Sequence, residues 1–372
     1  MKIKSIEPIP VRLPMRKPVI MAGEQVRAAD NMLVRIEAGG MTGWGEAASA
    51  PVMTGETLAS MAEAIRIMTP ALLGRDPSDI DGACDAMDSV LYGNSGAKAA
   101  IEIALHDLVG KATGKPVYAL LGDKKRARMP LLGMIGSGDP AGDVEDARKK
   151  KVEGFTIFKI KVGVDTAARD AQRSRDICAA LGGDMLISAD ANQGFQRAQA
   201  IEYVRAMDGA GLDFFEQPVA ADDLEGMAAV AAATSIAIGT DEGIHSLDDI
   251  HRHHEKKAAR GASLKSIKLG GLRGVVAAGT LCDELSMSVN LACKTGESSI
   301  ASAAALHAGA VLPNIAWGLT LSSLALAADV TPQPLTSRNG HIESLERPGL
   351  GVDVSDDLVG RHRLDGVLRN AS

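Results

Sequence analysis

Cysteine is scarce in this 372-residue chain, and no two of the four, Cys84, Cys178, Cys282 and Cys293, form a C-x-x-C pair. All four lie in apolar surroundings, so they read as reduced core thiols rather than disulfide or zinc positions. An excess of basic residues is also missing: 40 Lys and Arg face 47 Asp and Glu, for a formal net charge of −7 and a pI near 5.7. That balance argues against nucleic acid or an anionic membrane as a partner, since both are held by basic surfaces, and it means that an anionic substrate needs local cations. No apolar run approaches the roughly 20 residues of a membrane span. The stretch from Met1 to Pro10 alternates apolar and polar residues without the unbroken apolar core of a signal peptide, so a cytoplasmic location is expected.

What is present divides by texture. Residues 2–13 and 31–37 alternate like strands, Gly39-Gly40 ahead of Gly43-Trp44-Gly45-Glu46 suggests a hairpin, and helical spacing follows over 54–72, 79–91 and 95–113. From about residue 129, short apolar or β-branched runs alternate with Ala-, Arg- and Glu-rich helical stretches, the pattern of repeated βα units. Eight strands are predicted near 130–136, 155–161, 185–190, 212–216, 236–241, 263–268, 288–293 and 314–320. They fit a parallel barrel better than an open sheet, although a doubly wound alternative stays open. The expected organisation is an α+β unit over 1–125, a barrel over 126–340 and a turn-rich tail, 341–372, that returns to the first unit.

Polar residues stand where the barrel strands should end: Lys159 and Lys161, Asp190 and Asn192, Glu216-Gln217-Pro218, Asp241-Glu242, and Lys265. The steps from Lys161 to Asp190, Glu216, Asp241 and Lys265 are 29, 26, 25 and 24 residues, each about one strand plus one helix. Five successive strands would therefore present these side chains around one C-terminal mouth, where barrel enzymes keep their chemistry. Three carboxylates without His or Cys make a hard oxygen site suited to Mg²⁺, with Mn²⁺ as a substitute. A carboxylate substrate chelated there would lose its α-proton more readily, because the cation stabilises charge developing on the enolate oxygens. One lysine on each flank can then remove a proton from one face and return it to the other. Lys159 shares the strand face of Lys161 and is expected to depress its pKa, and Lys265 shares the parity of Ser263 and Ile267 whereas Lys268 does not, so Lys265 is the expected inward base.

The run Phe158-Lys159-Ile160-Lys161-Val162-Gly163, with Asp190-Ala191-Asn192-Gln193, Glu216-Gln217-Pro218, Asp241-Glu242 and the K-x-x-K-x-G-G pattern of Lys265 to Gly271, resembles the muconate lactonizing enzyme subgroup of the enolase superfamily. The resemblance spans nearly the whole chain. It implies an α/β fold in which an N-terminal capping domain, completed by the C-terminal tail, sits over a modified (β/α)8 barrel, (β/α)7β. It further implies Asp190, Glu216 and Asp241 as Mg²⁺ ligands and Lys161 and Lys265 as the acid/base pair, in line with the Lys or His base and Mg²⁺ of enolase-superfamily sites. Lys159, Asn192, Glu242 and Glu297 are expected around them. The loop Val19 to Arg27, with Met21 and Glu24, and the turn Ala50 to Gly55 are expected to close over the substrate.

Each residue alone has a plainer reading, as a solvated lysine pair or a helix-capping acid; the shared register changes that balance. His251, His253 and His254 are expected on a solvated helix face, and His307 inside a packed helix. The Gly39 to Gly45 stretch reads as hairpin glycines rather than a phosphate loop. Since one partial reaction serves many overall reactions, the substrate is a separate question. Leu319-Thr320-Leu321-Ser322 lacks the Asp-x-Asp of dipeptide epimerases, and Lys294-Thr295-Gly296 replaces the apolar run of muconate cycloisomerases. Glu24 and Glu297 suit a substrate ammonium, which points to a proline or hydroxyproline derivative undergoing 2-epimerisation or β-elimination. Muconate cycloisomerisation and N-acylamino acid racemisation are the alternatives within the family; a metal-dependent barrel hydrolase and a non-catalytic binding barrel are the alternatives outside it. The expected partners are a small-molecule carboxylate and further copies of the chain in a homo-oligomer.

Overall fold

A computed structural model describes residues 1–21, 24–137 and 139–366, apart from the side chains of residues 19–21, 24 and 25. A three-stranded antiparallel sheet opens the chain: β1 (Ile3–Met21), β2 (Glu24–Ala38) and β3 (Met41–Ala48). Ala38 pairs with Met41 across Gly39 and Gly40, whose φ of 58° and 77° a two-residue hairpin turn demands. Both long strands run well past the predicted 2–13 and 31–37. Helices α1 (Leu58–Leu72), α2 (Ile80–Val90) and α3 (Ser95–Thr113) follow. The first starts later than expected because the Thr57 side chain caps it, accepting from Ser60 N. Gly43 and Gly45 are not hairpin residues: a Cβ on either would lie 2.2 Å from Ala104 O or 1.9 Å from Ala100 O, so they let β3 lie directly on α3.

Short β4 (Arg128–Pro130) leads into eight parallel strands: β5 (Leu132–Ile135), β6 (Ile157–Lys161), β7 (Leu186–Asp190), β8 (Phe214–Glu216), β9 (Ala237–Thr240), β10 (Gly261–Leu264), β11 (Ser288–Ala292) and β12 (Leu319–Thr320). Neighbours in sequence are neighbours in the sheet, and a parallel bridge between Leu131 and Leu319 closes it. An α-helix lies between each pair of successive strands, whereas β12 runs into a 3-10 turn, Ser322–Ala325, so the barrel is (β/α)7β.

The sixth strand departs from its predicted range of 263–268. It ends at Leu264, and Ser266–Leu269 forms one helical turn that closes at Gly270 with φ 75°. Strand parity therefore holds for Ser263 and Lys265 but not for Ile267 and Lys268.

Inside the barrel, Phe214 and Trp317 stack with ring centroids 3.8 Å apart above the paired Gly239 and Gly261. A Cβ on Gly261 would meet the Trp317 ring at 2.3 Å and Ser288 O at 2.6 Å. Gly261→Ala is thus expected to destabilise the fold by at least the roughly 1–3 kcal/mol of an overpacked core, read as a lower denaturation midpoint.

The last segment ties the units together. Strand β13 (His341–Glu343) pairs antiparallel with β4, Leu350 N donates to Asp107 on α3, and Leu364 N donates to Pro10 O on β1. Two buried acids of the first unit cap barrel helices: Glu102 accepts from Leu272 N and Arg273 N, and Glu46 from Ser298 N and Ala301 N. The cap is therefore bonded to the helices that follow the sixth and seventh strands. Among the described residues no helix is long and apolar enough to cross a membrane.

Candidate active site

The ladder sets the site. Lys161 pairs with Asp190 and Asp190 with Glu216, while Gly239, level with Glu216, stands two residues before Asp241. The alternation of a strand then aims Lys161, Asp190, Glu216 and Asp241 into the same mouth. All three acids are almost wholly buried. The turns beyond them are strained, with Asn192, Gln193 and Gln217 at φ of 42°, 71° and 34°, as occurs where a chain is bent to present side chains.

Each acid is met by lysine. Lys161 Nζ donates to Asp190 Oδ2 and to Asn192 Oδ1, both at 2.6 Å. Lys159 Nζ lies 2.5 Å from Glu216 Oε2 and 3.9 Å from Asp190 Oδ2. On the other side Lys265 pairs with Asp241 Oδ2, and Lys268 donates to Asp241 Oδ1 at 2.7 Å and to Ser263 O at 2.9 Å. Lys268, set aside by strand parity, thus reaches the same carboxylate as Lys265 because the helical turn swings it back.

Burial opposes charge on all of these groups, and the pairing decides the outcome. It works to discharge Lys159 and Lys265, but Glu216 and Asp190 hold the first above the ordinary lysine range and Asp241 and Glu242 hold the second there. In this state Lys265 is an ammonium tied to Asp241, not a free base. Lys159 is likewise claimed by Glu216, rather than acting as a bare cation beside Lys161. Lys268 is pulled down by burial and by Lys265 despite Asp241. Asp241 itself is held far below the carboxylate range, Lys265 and Lys268 overcoming its burial.

Among the described residues no three acid or histidine side chains converge as a ready-made metal cage, the ammonium groups lying on the oxygens instead. The donor chemistry nevertheless fits a hard divalent cation. Burial and the charges of Asp190 and Asp241 push Glu216 up, although its buried Oε2 is paired with Lys159. Glu242 accepts from Asn192 Nδ2 at 3.1 Å through Oε1, has no hydrogen-bond partner at Oε2, and is pushed up to about 7 by burial and by Asp241. The unpartnered Oε2 of Glu242 beside the carboxylates of Asp190, Glu216 and Asp241 is a donor set of hard oxygens that suits such a cation.

Both oxygens of Glu297 accept from backbone, Oε1 from Ala48 N at 3.1 Å and Oε2 from Lys294 N at 2.8 Å, so it joins cap to barrel. The side chains of Met21 and Glu24 lie outside the described residues. Gln217 is a residue whose part the sequence reading overlooked: its buried Oε1 accepts from Asp241 N and Gly243 N, at 2.9 and 3.1 Å, and so holds the turn that presents Asp241. Asn290 likewise accepts from Lys159 Nζ at 3.3 Å. His253 is buried, with contacts to Asp249 O and Thr240 Oγ1, whereas His251 and His254 are exposed as expected. His307 is packed between Tyr118 N and Leu350 O. The four cysteines are unpaired and three are buried. An open cleft of about 740 Å³ beside β4 and β13 contains no lysine and is distinct from this site.

Glu46 and Glu297 face each other across the unit boundary. Burial pushes Glu46 up to about 8 and Glu297 to about 7, each well above an unfolded glutamate. The folded chain then keeps protons that the unfolded chain releases, so the stability from these groups is present at low pH and is lost as pH rises from about 4.5 towards 8. Denaturation midpoints are expected to fall across that window, and Glu46→Gln to flatten the slope.

A capped barrel with paired lysines and acids at its C-terminal rim is the architecture of an enzyme that handles charge at a substrate carbon. The mandelate racemase/muconate lactonizing enzyme N-terminal domain model matches residues 5–122, and the enolase C-terminal domain-like model matches 143–358. The chain is 31% identical to the N-succinyl-L-Arg/Lys racemase of Bacillus cereus, over 96% of this chain and 97% of that protein. It is 32% identical to the L-Ala-D/L-Glu epimerase of Bacillus subtilis, over 95% and 97%. The muconate lactonizing enzyme of Pseudomonas fluorescens, solved with muconolactone, superposes with a TM-score of 0.93 at 31% identity, covering 97% of this chain and 99% of that one.

The chain belongs to the enolase superfamily, in its muconate lactonizing enzyme subgroup. It is an enzyme, and the relatives named here are isomerases. Enzymes of this type typically use a divalent metal ion and act on small carboxylates.

Proposed function

We propose that this chain moves a proton at the carbon next to a substrate carboxylate, with Lys161 and Lys265 as the two bases and Asp190, Glu216 and Asp241 as the ligands of Mg²⁺. The observation that carries the reading is the order around the mouth: a lysine at the end of the second strand, acids at or just past the ends of the third, fourth and fifth, and a lysine just past the sixth. When bound, the cation supplies a counter-charge for the substrate carboxylate and for the enolate oxygens. Lys161 and Lys265, paired here with Asp190 and Asp241, would be released from those carboxylates if the acids held the ion, and their amines would then be able to give up protons. Lys159 and Lys268 remain as fixed cations, Asn192 orients Lys161, and Gln217 keeps Asp241 in place.

Two lysines facing opposite sides of one carbon suit racemisation or epimerisation. The relatives bear racemase, epimerase and cycloisomerase names, and the engagement of Glu297 removes part of the case for a proline-type ammonium. The N-acylamino acid racemase reading therefore moves ahead of hydroxyproline dehydration. The test is α-deuterium incorporation in D₂O with Mg²⁺ over a panel of N-acylamino acids and proline analogues. Exchange is expected, and removal of divalent ions by EDTA should abolish it, with recovery on adding Mg²⁺ or Mn²⁺. Ester or amide cleavage without deuterium uptake would instead mark a hydrolase.

A further inference from the structure

We propose that Lys294 selects the substrate by binding a second carboxylate, so that the preferred substrate is a dianionic acid; this deepens the proton-transfer reading and rests on it. Lys294 lies two residues beyond β11, in the row of Asn290 and Ala292, and Asn290 faces into the barrel, where it meets Lys159. Its loop is fixed rather than loose. Glu297 holds Lys294 N, Asn31 Nδ2 on β2 donates to Gly296 O at 2.8 Å, and Gly296, at φ 86°, sits so close to the hairpin that a Cβ would lie 2.1 Å from Ala29 Cβ. The side chain is part-buried, with Lys265, Lys161, Glu297 and Asp241 as its electrostatic neighbours, and desolvation with the two lysines pulls its pKa down.

Every other lysine at this mouth has a carboxylate partner: Lys159 has Glu216, Lys161 has Asp190, and Lys265 and Lys268 share Asp241. For Lys294 neither a hydrogen bond nor an ion pair at Nζ is found among the described residues. A part-buried ammonium without a paired carboxylate is free to meet a substrate anion. Its place in the barrel says which anion. Lys294 follows the seventh of eight strands and Asp190 ends the third, so the two stand on opposite sides of the mouth. A substrate whose first carboxylate is held at the acids would carry a second one, a few bonds away, towards Lys294. With a divalent cation bound, two carboxylates would balance the positive charge of the mouth better than one, and the Lys294 ammonium would meet the second as a point charge.

Calorimetric binding tests this, with Mg²⁺ present, on the full chain and on Lys294→Met and Lys294→Arg. The probes are an N-succinyl-L-amino acid with its N-succinamyl amide, and cis,cis-muconate with its monoamide, each pair differing only in the second charge. The wild type is expected to bind at least one dianion tenfold or more tighter than its amide; Lys294→Met should erase that preference and Lys294→Arg should keep most of it. Equal binding of acid and amide on both scaffolds, a preference that survives Lys294→Met, or no dianion binding at all overturns the proposal. Proton exchange by Lys161→Ala, followed separately, reports on the catalytic reading and leaves the charge comparison intact.

Discussion

Lys161→Ala and Lys265→Ala are each expected to lower α-proton exchange from one substrate face by about 10²–10⁴-fold, the contribution of a positioned general base. The two losses should be opposite in hand. A variant lacking one base still exchanges the enantiomer whose proton faces the remaining lysine, and neither variant interconverts the enantiomers. The folded chain should tolerate Lys161→Ala, because Asp190 keeps Lys159 at 3.9 Å and a hydrogen bond from Asn192 N at 2.9 Å. Following both enantiomers by deuterium uptake and polarimetry separates this outcome from a general loss of activity. If both variants exchanged both enantiomers at the wild-type rate, lysine bases would be excluded.

Asp241→Asn is expected to have the second large effect, on fold and chemistry together. One carboxylate holds both Lys265 and Lys268, and the substitution leaves two buried ammonium groups facing an amide. Removing one partner of a buried pair costs about 3–5 kcal/mol, so a fall in denaturant midpoint of that size is expected without any metal present. Lys268→Met in the same chain should return part of that stability, because it removes one of the stranded charges, and the double-mutant cycle measures the share. Activity, by contrast, should not return. A rescue of stability without a rescue of exchange would separate Asp241 as a structural counter-ion from Asp241 as a ligand.

The fold was legible where local pattern governs it. Gly39-Gly40 demanded a turn, the three early helices carried their own periodicity, and steps of 24–29 residues between polar strand ends announced repeated βα units with one shared mouth. What escaped depends on contacts distant in sequence or on one local break. Lys268 was misread because strand alternation was carried past Leu264, where the chain turns into a helix, and nothing in the periodicity of four residues marks that change. His253 is buried because Thr240, 13 residues away, meets its ring, while its neighbours on the same helix remain in solvent. Glu297 was read from its place beside the mouth, yet its oxygens are committed to Ala48, 249 residues away, and to its own loop. Lys294 stood out only as a departure from an apolar run; its lack of a carboxylate partner is visible only once the other lysines are seen to be paired.

The most direct test of the site is a crystal of the chain grown with Mn²⁺ and measured at the manganese absorption edge. An anomalous peak within coordinating distance of carboxylate oxygens of Asp190, Glu216 and Asp241, with the Lys161 and Lys265 amines withdrawn from those oxygens to either side, is the expected result. A peak elsewhere, or a fully formed set of lysine–carboxylate pairs in saturating Mn²⁺, would contradict it.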